Sequence, residues 1–219
     1  MDTDFIVQSI PIYGEAALLT LWSGVAGIIL SLAVGFVCAL VQYYKIPIAK
    51  WVVAGYIELS RNTPLLVQLF FLYFGLPKLG IVLSGEVCAV TGLAFLGGSY
   101  MAEAIRCGLE AVAPIQIESG LSLGLSNAQI MRYIVSPQAL SVATPALLAN
   151  AVFLIKETSM FSAIAVKDLM FVANEQLGNV YKTEEIFLLL ICFYLIILLP
   201  ITIATGIIER RMRHAEFGA

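Results

Sequence analysis

Charge is scarce in this sequence. Asp, Glu, Lys and Arg make up 12% of its 219 residues, about half the share a soluble domain carries. With 60% hydrophobic residues and a mean hydropathy of +0.95, the main solvent is lipid. A basic surplus is also missing: the formal net charge is -3 with cations scattered, which excludes a nucleic-acid surface. One histidine, His214, and no paired Asp/His cluster offer neither a nucleophile-base set nor metal ligands, so no catalytic residue and no metal site are expected. The four cysteines, Cys38, Cys88, Cys107 and Cys192, lack C-x-x-C or Cys/His spacing. Each sits in or beside an apolar run, where cysteine behaves as a small hydrophobe. No G-x-x-x-x-G-K-[ST] occurs, so the chain has no P-loop with which to hydrolyse ATP. The start, MDTDFIVQSI, lacks a basic n-region and leads into an apolar run too long for an h-region. It is therefore not read as a cleaved signal peptide.

What is present is a series of apolar runs of spanning length. Strands of a membrane barrel would be short and alternating, so the expected class is all-α. The chain reads as a polytopic helical membrane protein with about five transmembrane helices, near 16–44, 51–76, 87–105, 133–155 and 186–208. In the first, Gly24, Gly27, Ser31 and Gly35 form a smooth face for a neighbouring helix, within the monomer or in a dimer. Lys45, Pro47 and Lys50 mark a turn. In the second, Glu58 and Arg61 are spaced to pair, and Pro64 should kink the helix. Residues 77–86 read as a loop. The third contains Gly97-Gly98, a sign of bending or close packing, and ends in Glu103 and Arg106, again three apart. Both charge pairs read as structural rather than ligand-binding. Pro137 and Pro145 interrupt the fourth run, 167–185 reads as a polar loop, and Glu209-Arg210-Arg211-Met212-Arg213 closes the chain.

Five spans put the termini on opposite sides. The basic tail, the Lys45/Lys50 turn and the loop from Arg106 to Arg132 should all be cytoplasmic by the positive-inside rule. The N-terminus is then outside. On the same reasoning the polar island ESGLSLGLSNAQIMRYIVSPQAL at 118–140 lies in the cytoplasm between the third and fourth spans.

That stretch and its neighbours carry a resemblance. Glu118, Gly124 and Ser136-Pro137-Gln138 are laid out like the E-A-A…G…L-P motif of ABC importer permeases. Arg61-Asn62-Thr63-Pro64-Leu65-Leu66 looks like R-G-T-P-L-L, and Tyr100-Met101-Ala102-Glu103-Ala104-Ile105-Arg106 like A-Y-x-A-E-x-x-R. Gln116-Ile117-Glu118 is similar to Q-x-E, Gly124-Leu125-Ser126 to G-L-S, and Pro137-Gln138-Ala139 to P-Q-A. Lys156-Glu157-Thr158-Ser159 resembles K-D-T-S. Together, and in this order, the motifs resemble the polar amino-acid (histidine/glutamine-type) permeases of the type I ABC importers over nearly the whole chain. Two departures stand out: E-A-A is Glu118-Ser119-Gly120 here, and the Asp after Lys156 is Glu157.

The resemblance implies one permease domain over 1–219, in the bacterial cytoplasmic (inner) membrane, with a cytoplasmic coupling segment at 114–138. It implies a short coupling helix at about 118–133 that docks on an ATPase. Glu118 would cap or pair at its start, Gly124 would make the turn, and Leu121, Leu123 and Leu125 would pack. Gln116, Gly120, Ser126 and Pro137 complete the ATPase-coupling set. Implied partners are two ATPase subunits, a second permease chain, identical or homologous, and an extracytoplasmic amino-acid-binding protein. The chain itself would bind no cofactor, since ATP and Mg belong to the ATPase. Lys156 and Glu157 either line the substrate path, with Asn150, Thr158 and Ser159 adding hydrogen bonds, or anchor the helix at the outer interface. The competing reading is a secondary carrier or channel subunit driven by an ion gradient, for which the only carboxylate candidate near mid-span is Glu157.

Overall fold

The computed structural model describes residues 2–217, with side chains through Met212. The side chains of Arg213 and His214, assigned above to the cytoplasmic tail, lie outside the described residues. Among those described, secondary structure is entirely helical.

The first helix, α1, runs from Thr3 to Tyr43, capped by the Asp2 carboxylate on the Phe5 amide. It starts well before the apolar run because a capped start needs no apolar residue. α2 (Ala49–Arg61) and α3 (Leu65–Phe70) occupy the second expected span, which is not one helix. Pro64 has no N–H and its ring clashes with the preceding turn, so the chain unwinds at Asn62-Thr63-Pro64. The carbonyls released there are satisfied from side chains. Asn62 Nδ2 donates to the Glu58 carbonyl at 2.8 Å, Thr63 Oγ1 to that of Leu59 at 2.8 Å, and the buried Gln68 amide to those of Ser60 and Thr63 at 3.1 and 2.9 Å. Such repair is what allows broken helix at membrane depth. Past α3 a π turn and a 3-10 turn carry the chain to Leu79.

α4 (Gly85–Glu110) starts on a Ser84 cap and lies along α1. The small residues of α1 face into the monomer. A β-carbon at Gly27 would come within 2.5 Å of Leu93 Cδ2, and one at Gly35 within 2.5 Å of Met101 Cβ. Gly97 packs on Ser31 and Leu154, so the Gly97-Gly98 pair serves close approach and α4 stays α-helical through it.

Then follow α5 (Pro114–Ser122), α6 (Asn127–Ile130) and α7 (Ser136–Glu157), the last two joined by a π turn at Met131–Val135. A 3-10 stretch, Thr158–Ile164, leads to α8 (Leu169–Asn179) and α9 (Thr183–Phe217). The expected polar loop at 167–185 therefore holds a helix. Asp168 caps it, accepting from the Phe171 amide at 2.9 Å, and Leu169, Val172 and Ala173 make one buried face.

Four helical stretches among the described residues are long and apolar enough to cross a membrane: Thr3–Tyr43, Gly85–Glu110, Asn127–Ile164 and Thr183–Met212. The shorter apolar helix Leu65–Leu79 follows the break after α2. Lys182 Nζ and Asp2 pair at 2.6 Å, tying the start of α9 to the start of α1. Met212 at the far end of α9 lies beside Thr144 of α7. The described ends of the chain are thus at opposite ends of the bundle.

Candidate functional site

The segment between α4 and α7 is shaped by its own sequence. Pro114 opens α5, where its missing N–H costs nothing. Gly124, at φ +82°, closes it: the Leu125 amide donates to the Gly120 carbonyl at 3.1 Å and the Gly124 amide to that of Leu121 at 2.9 Å. This is the Schellman pattern, with glycine at its left-handed position. Ser126 then caps α6 in a capping box, its hydroxyl accepting from the Gln129 amide while Gln129 Oε1 accepts from the Ser126 amide at 2.8 Å. Gln138 Nε2 donates to Gln116 Oε1, fastening α7 to α5. Pro137 stands one residue into α7, just past the π turn that widens the helix before it.

The expected helix at 118–133 is thereby corrected. It is α5, it starts at Pro114, and Gly124 ends it. Glu118 lies in its middle, exposed, and neither caps nor forms an ion pair among the described residues. Gly120 is buried against Ile130 and Ile134. Leu125 packs inward with Ile117, whereas Leu121 and Leu123 are 50% and 81% exposed. The segment thus presents Glu118, Leu121 and Leu123 outward and keeps Gln116, Gly120, Gly124, Leu125 and Ser126 for its own shape.

A second feature lies at the α2–α3 break. A cavity of about 360 Å³ is lined by Arg61, Asn62, Thr63, Pro64, Leu65, Leu66, Leu96, Tyr100, Phe153, Glu157 and Met160. Arg61 stands 5.4 Å from the centre of the Tyr100 ring, and Tyr100 meets Phe153 edge-on at 5.6 Å. Glu157 sits where α7 tightens into its 3-10 end. Acid, cation and aromatic wall share one amino-acid-sized cleft, open on the side of the exposed Arg61, Asn62 and Met160 and floored by Leu65 and Leu96, the latter in the middle of α4.

Of the expected path residues, Glu157 alone lines this cavity. Asn150 braces its wall, Nδ2 donating to the Tyr100 carbonyl at 3.3 Å. Thr158 is buried toward Gly24 of α1, its hydroxyl donating to the Ile155 carbonyl at 2.7 Å. The Ser159 carbonyl accepts from Ser162 at 2.9 Å. Lys156 is exposed and does not line the cavity, because one helical step turns a side chain by about 100°.

The expected Glu58–Arg61 pair is also corrected. Glu58 accepts from Asn62 Nδ2 at 3.1 Å, since the break turns Asn62 back over the last turn of α2. Arg61 is left to the cavity. The other pair forms as expected and is larger: Arg106 is held by Glu103 and, at 2.6 Å, by Glu110. Arg61 also borders a second cavity, about 400 Å³, with Gln42, Ala54, Ile57, Glu58, Glu103, Arg106 and Glu110. Sequence reading missed Arg61 and Tyr100 as cavity residues. The available signal was Pro64 breaking an apolar run directly after three polar residues, the pattern of a discontinuous helix.

The profile of the family described as "Binding-protein-dependent transport system inner membrane component" matches residues 27–214. The chain is 34% identical over 202 residues to the probable glutamine ABC transporter permease protein GlnP of Bacillus subtilis (strain 168), covering 90% of this chain and 92% of that one. It is 33% identical over 214 residues to the glutamine transport system permease protein GlnP of Escherichia coli (strain K12), covering 97% and 98%. Among solved structures it resembles a chain of an amino acid ABC transporter crystallised with histidines, at TM-score 0.88 and 32% identity, covering 96% and 99%. The MetNI methionine ABC transporter in an inward-facing form shares the fold, at TM-score 0.73 and 19% identity, covering 97% and 99%.

Proposed function

Because the chain belongs to the family of binding-protein-dependent transport system inner membrane components, we propose that it is the membrane-spanning permease subunit of an ATP-driven importer of polar amino acids. The observation that carries the substrate class is the placing of Arg61 and Glu157 around one cavity. A zwitterion carries a carboxylate and an ammonium, and opposite protein charges at membrane depth complement both. Intramembrane ionisable groups mark substrate paths more often than anchors.

In this reading a second permease chain, identical or homologous, completes the path, and the exposed Lys156 faces that chain or the path rather than lipid. An extracytoplasmic binding protein delivers the amino acid at the α8 end, where the N-terminus lies. Two ATPase subunits, which hold the ATP and Mg, dock at the cytoplasmic end on α5. Glu118, Leu121 and Leu123 form the docking face, and rigid-body movement of α5 rocks the helices fastened to it through Gln116–Gln138 and Gly120–Ile130. The chain performs no catalysis itself.

The test is uptake by the complete transporter in proteoliposomes. Glu157→Gln and Arg61→Met should each lower amino-acid uptake about 10-fold or more, as loss of a hydrogen-bonded charge does, with subunit assembly intact. Unchanged uptake in both variants would remove the cavity from the path. Uptake by this chain without ATPase, driven by an ion gradient, would instead establish a secondary carrier.

A further inference from the structure

At the α5 end, the turn between α1 and α2 is built against expectation for a cytosolic loop. Lys45 and Ile48 both have positive φ, 50° and 66°, a conformation costly for a β-branched residue. The turn exposes Ile46, Ile48, Trp51 and Val52, with Ile48 at 79% and Trp51 at 73%. Apolar side chains held outward on a strained turn gain nothing in water and gain burial in lipid. Beside them opens a cleft of about 730 Å³ lined by Tyr44 at the end of α1 and by Asn127, Ala128, Met131, Arg132 and Ser136 from α6, the π turn and the start of α7.

At this end Glu118 is exposed on α5, and the other charges near the turn fall into two groups. Glu58, Glu103 and Glu110 border the second cavity described above together with Arg61 and Arg106. Lys45, Lys50 and Arg132 stay outside it and have no carboxylate within ion-pair distance among the described residues. Lys50 lies 5.2 Å from the Trp51 ring and Arg132 5.7 Å from that of Tyr133. Exposed aromatics flanked by unpaired cations are the composition of a membrane interface on its anionic side.

We propose that this cleft holds the phosphate headgroup of an anionic phospholipid, with Arg132 supplying charge and Tyr44, Ser136 and Asn127 supplying hydrogen bonds. The acyl chains lie against Ile46, Ile48 and Trp51. The leaflet is the one on the α5 side, cytoplasmic in the orientation proposed above, but the site does not depend on the substrate or on ATP.

The test uses the full chain carrying Trp22→Phe, so that Trp51 is the only tryptophan, reconstituted in vesicles. Brominated phosphatidylglycerol should quench Trp51 more than brominated phosphatidylcholine at equal mole fraction. The enrichment should be about fivefold for each cation engaged. Arg132→Gln should remove one such factor and Arg132→Lys should restore most of it. Equal quenching by the two lipids overturns the proposal. So does a preference lost in a Lys45→Gln, Lys50→Gln variant but untouched by Arg132→Gln, because the cations would then act as a diffuse surface. Displacement of the lipid by inorganic phosphate assigns the cleft to a free anion, and abolition of the preference by added ATPase subunit assigns it to that protein; either result overturns a lipid site.

Discussion

Gly120 and Ile130 meet so closely that a β-carbon on the glycine would stand 3.0 Å from Ile130 Cγ1, with Ile134 Cδ1 at 3.1 Å. The departure of this chain from E-A-A at its third position is therefore a packing solution. Glycine costs about 1 kcal/mol of helix propensity against alanine, and in exchange α5 seats on the π turn that leads into α7. Gly120→Ala should leave stability within about 1 kcal/mol of the parent, since the propensity gain and the crowding oppose one another. Gly120→Leu should lift α5, read as faster proteolysis within 113–126 while the membrane-embedded fragments stay protected. Protection of 113–126 in the leucine variant would show that α5 is held by something else.

Gly124 differs from Gly120 in kind. A β-carbon there meets nothing within 4 Å, so its requirement is the left-handed backbone alone. Asparagine tolerates that conformation and valine does not. Gly124→Asn should keep co-purification of the ATPase near parental levels, whereas Gly124→Val should reduce it with membrane insertion intact. Equal loss in both would mean that the ATPase touches the glycine itself.

Gly35 lies on the backbone of α4, its would-be β-carbon 2.8 Å from the Ala102 amide nitrogen. Backbone cannot rotate away as the end of a side chain can. Gly35→Leu should therefore cost at least the 1–3 kcal/mol typical of overpacking, and Gly35→Ala a measurable part of it. Both are checked by thermal unfolding in detergent. A parental melting temperature for the leucine variant would mean that α1 and α4 are not in this register.

Asp168 is completely buried, and burial pushes its carboxyl up to about 7, against the amides of Phe171 and Met170, which favour the charged form. One carboxylate oxygen has no partner. The folded chain thus holds its proton where the unfolded chain, near 3.8, has released it. Stability from this group is full below about pH 4 and is lost as pH rises toward 7, on the order of 4 kcal/mol in all. Asp168→Asn keeps a helix cap and cannot ionise. It should melt with the parent near pH 4 and above it at pH 8. A melting difference that does not change with pH would show that Asp168 stays charged.

Much of the segment between α4 and α7 is legible because its chemistry is local. Pro114, Gly124 and the Ser126/Gln129 pair act within a few residues of themselves, so their spacing alone announces a start, a stop and a second start. The start of α5 is set by Pro114 and not by the motif residue Glu118, because proline is favoured at the first helical position. The helix α8 was hidden by its polar outer face, which is read as a loop when only runs of apolar residues are counted. The cleft at the α2–α3 break is half legible. Glu157 stands out as an ion in an apolar run, but the i,i+3 rule assigns Arg61 to Glu58, and that rule holds only while the helix continues. Pro64 ends that helix.

Composition and order of residues by themselves determine that this chain is helical, membrane-embedded and crossed by short polar breaks, because lipid permits few backbone arrangements and each leaves a length or a proline as its mark. The small residues of α1 were equally suited to a dimer or to the monomer until α4 was seen lying on Gly27 and Gly35. Neighbours on one helix face are set by periodicity. Which face meets which helix is set by packing between segments distant in the chain, and that is why the joining of Arg61, Tyr100 and Glu157 around one cavity was decided only in three dimensions.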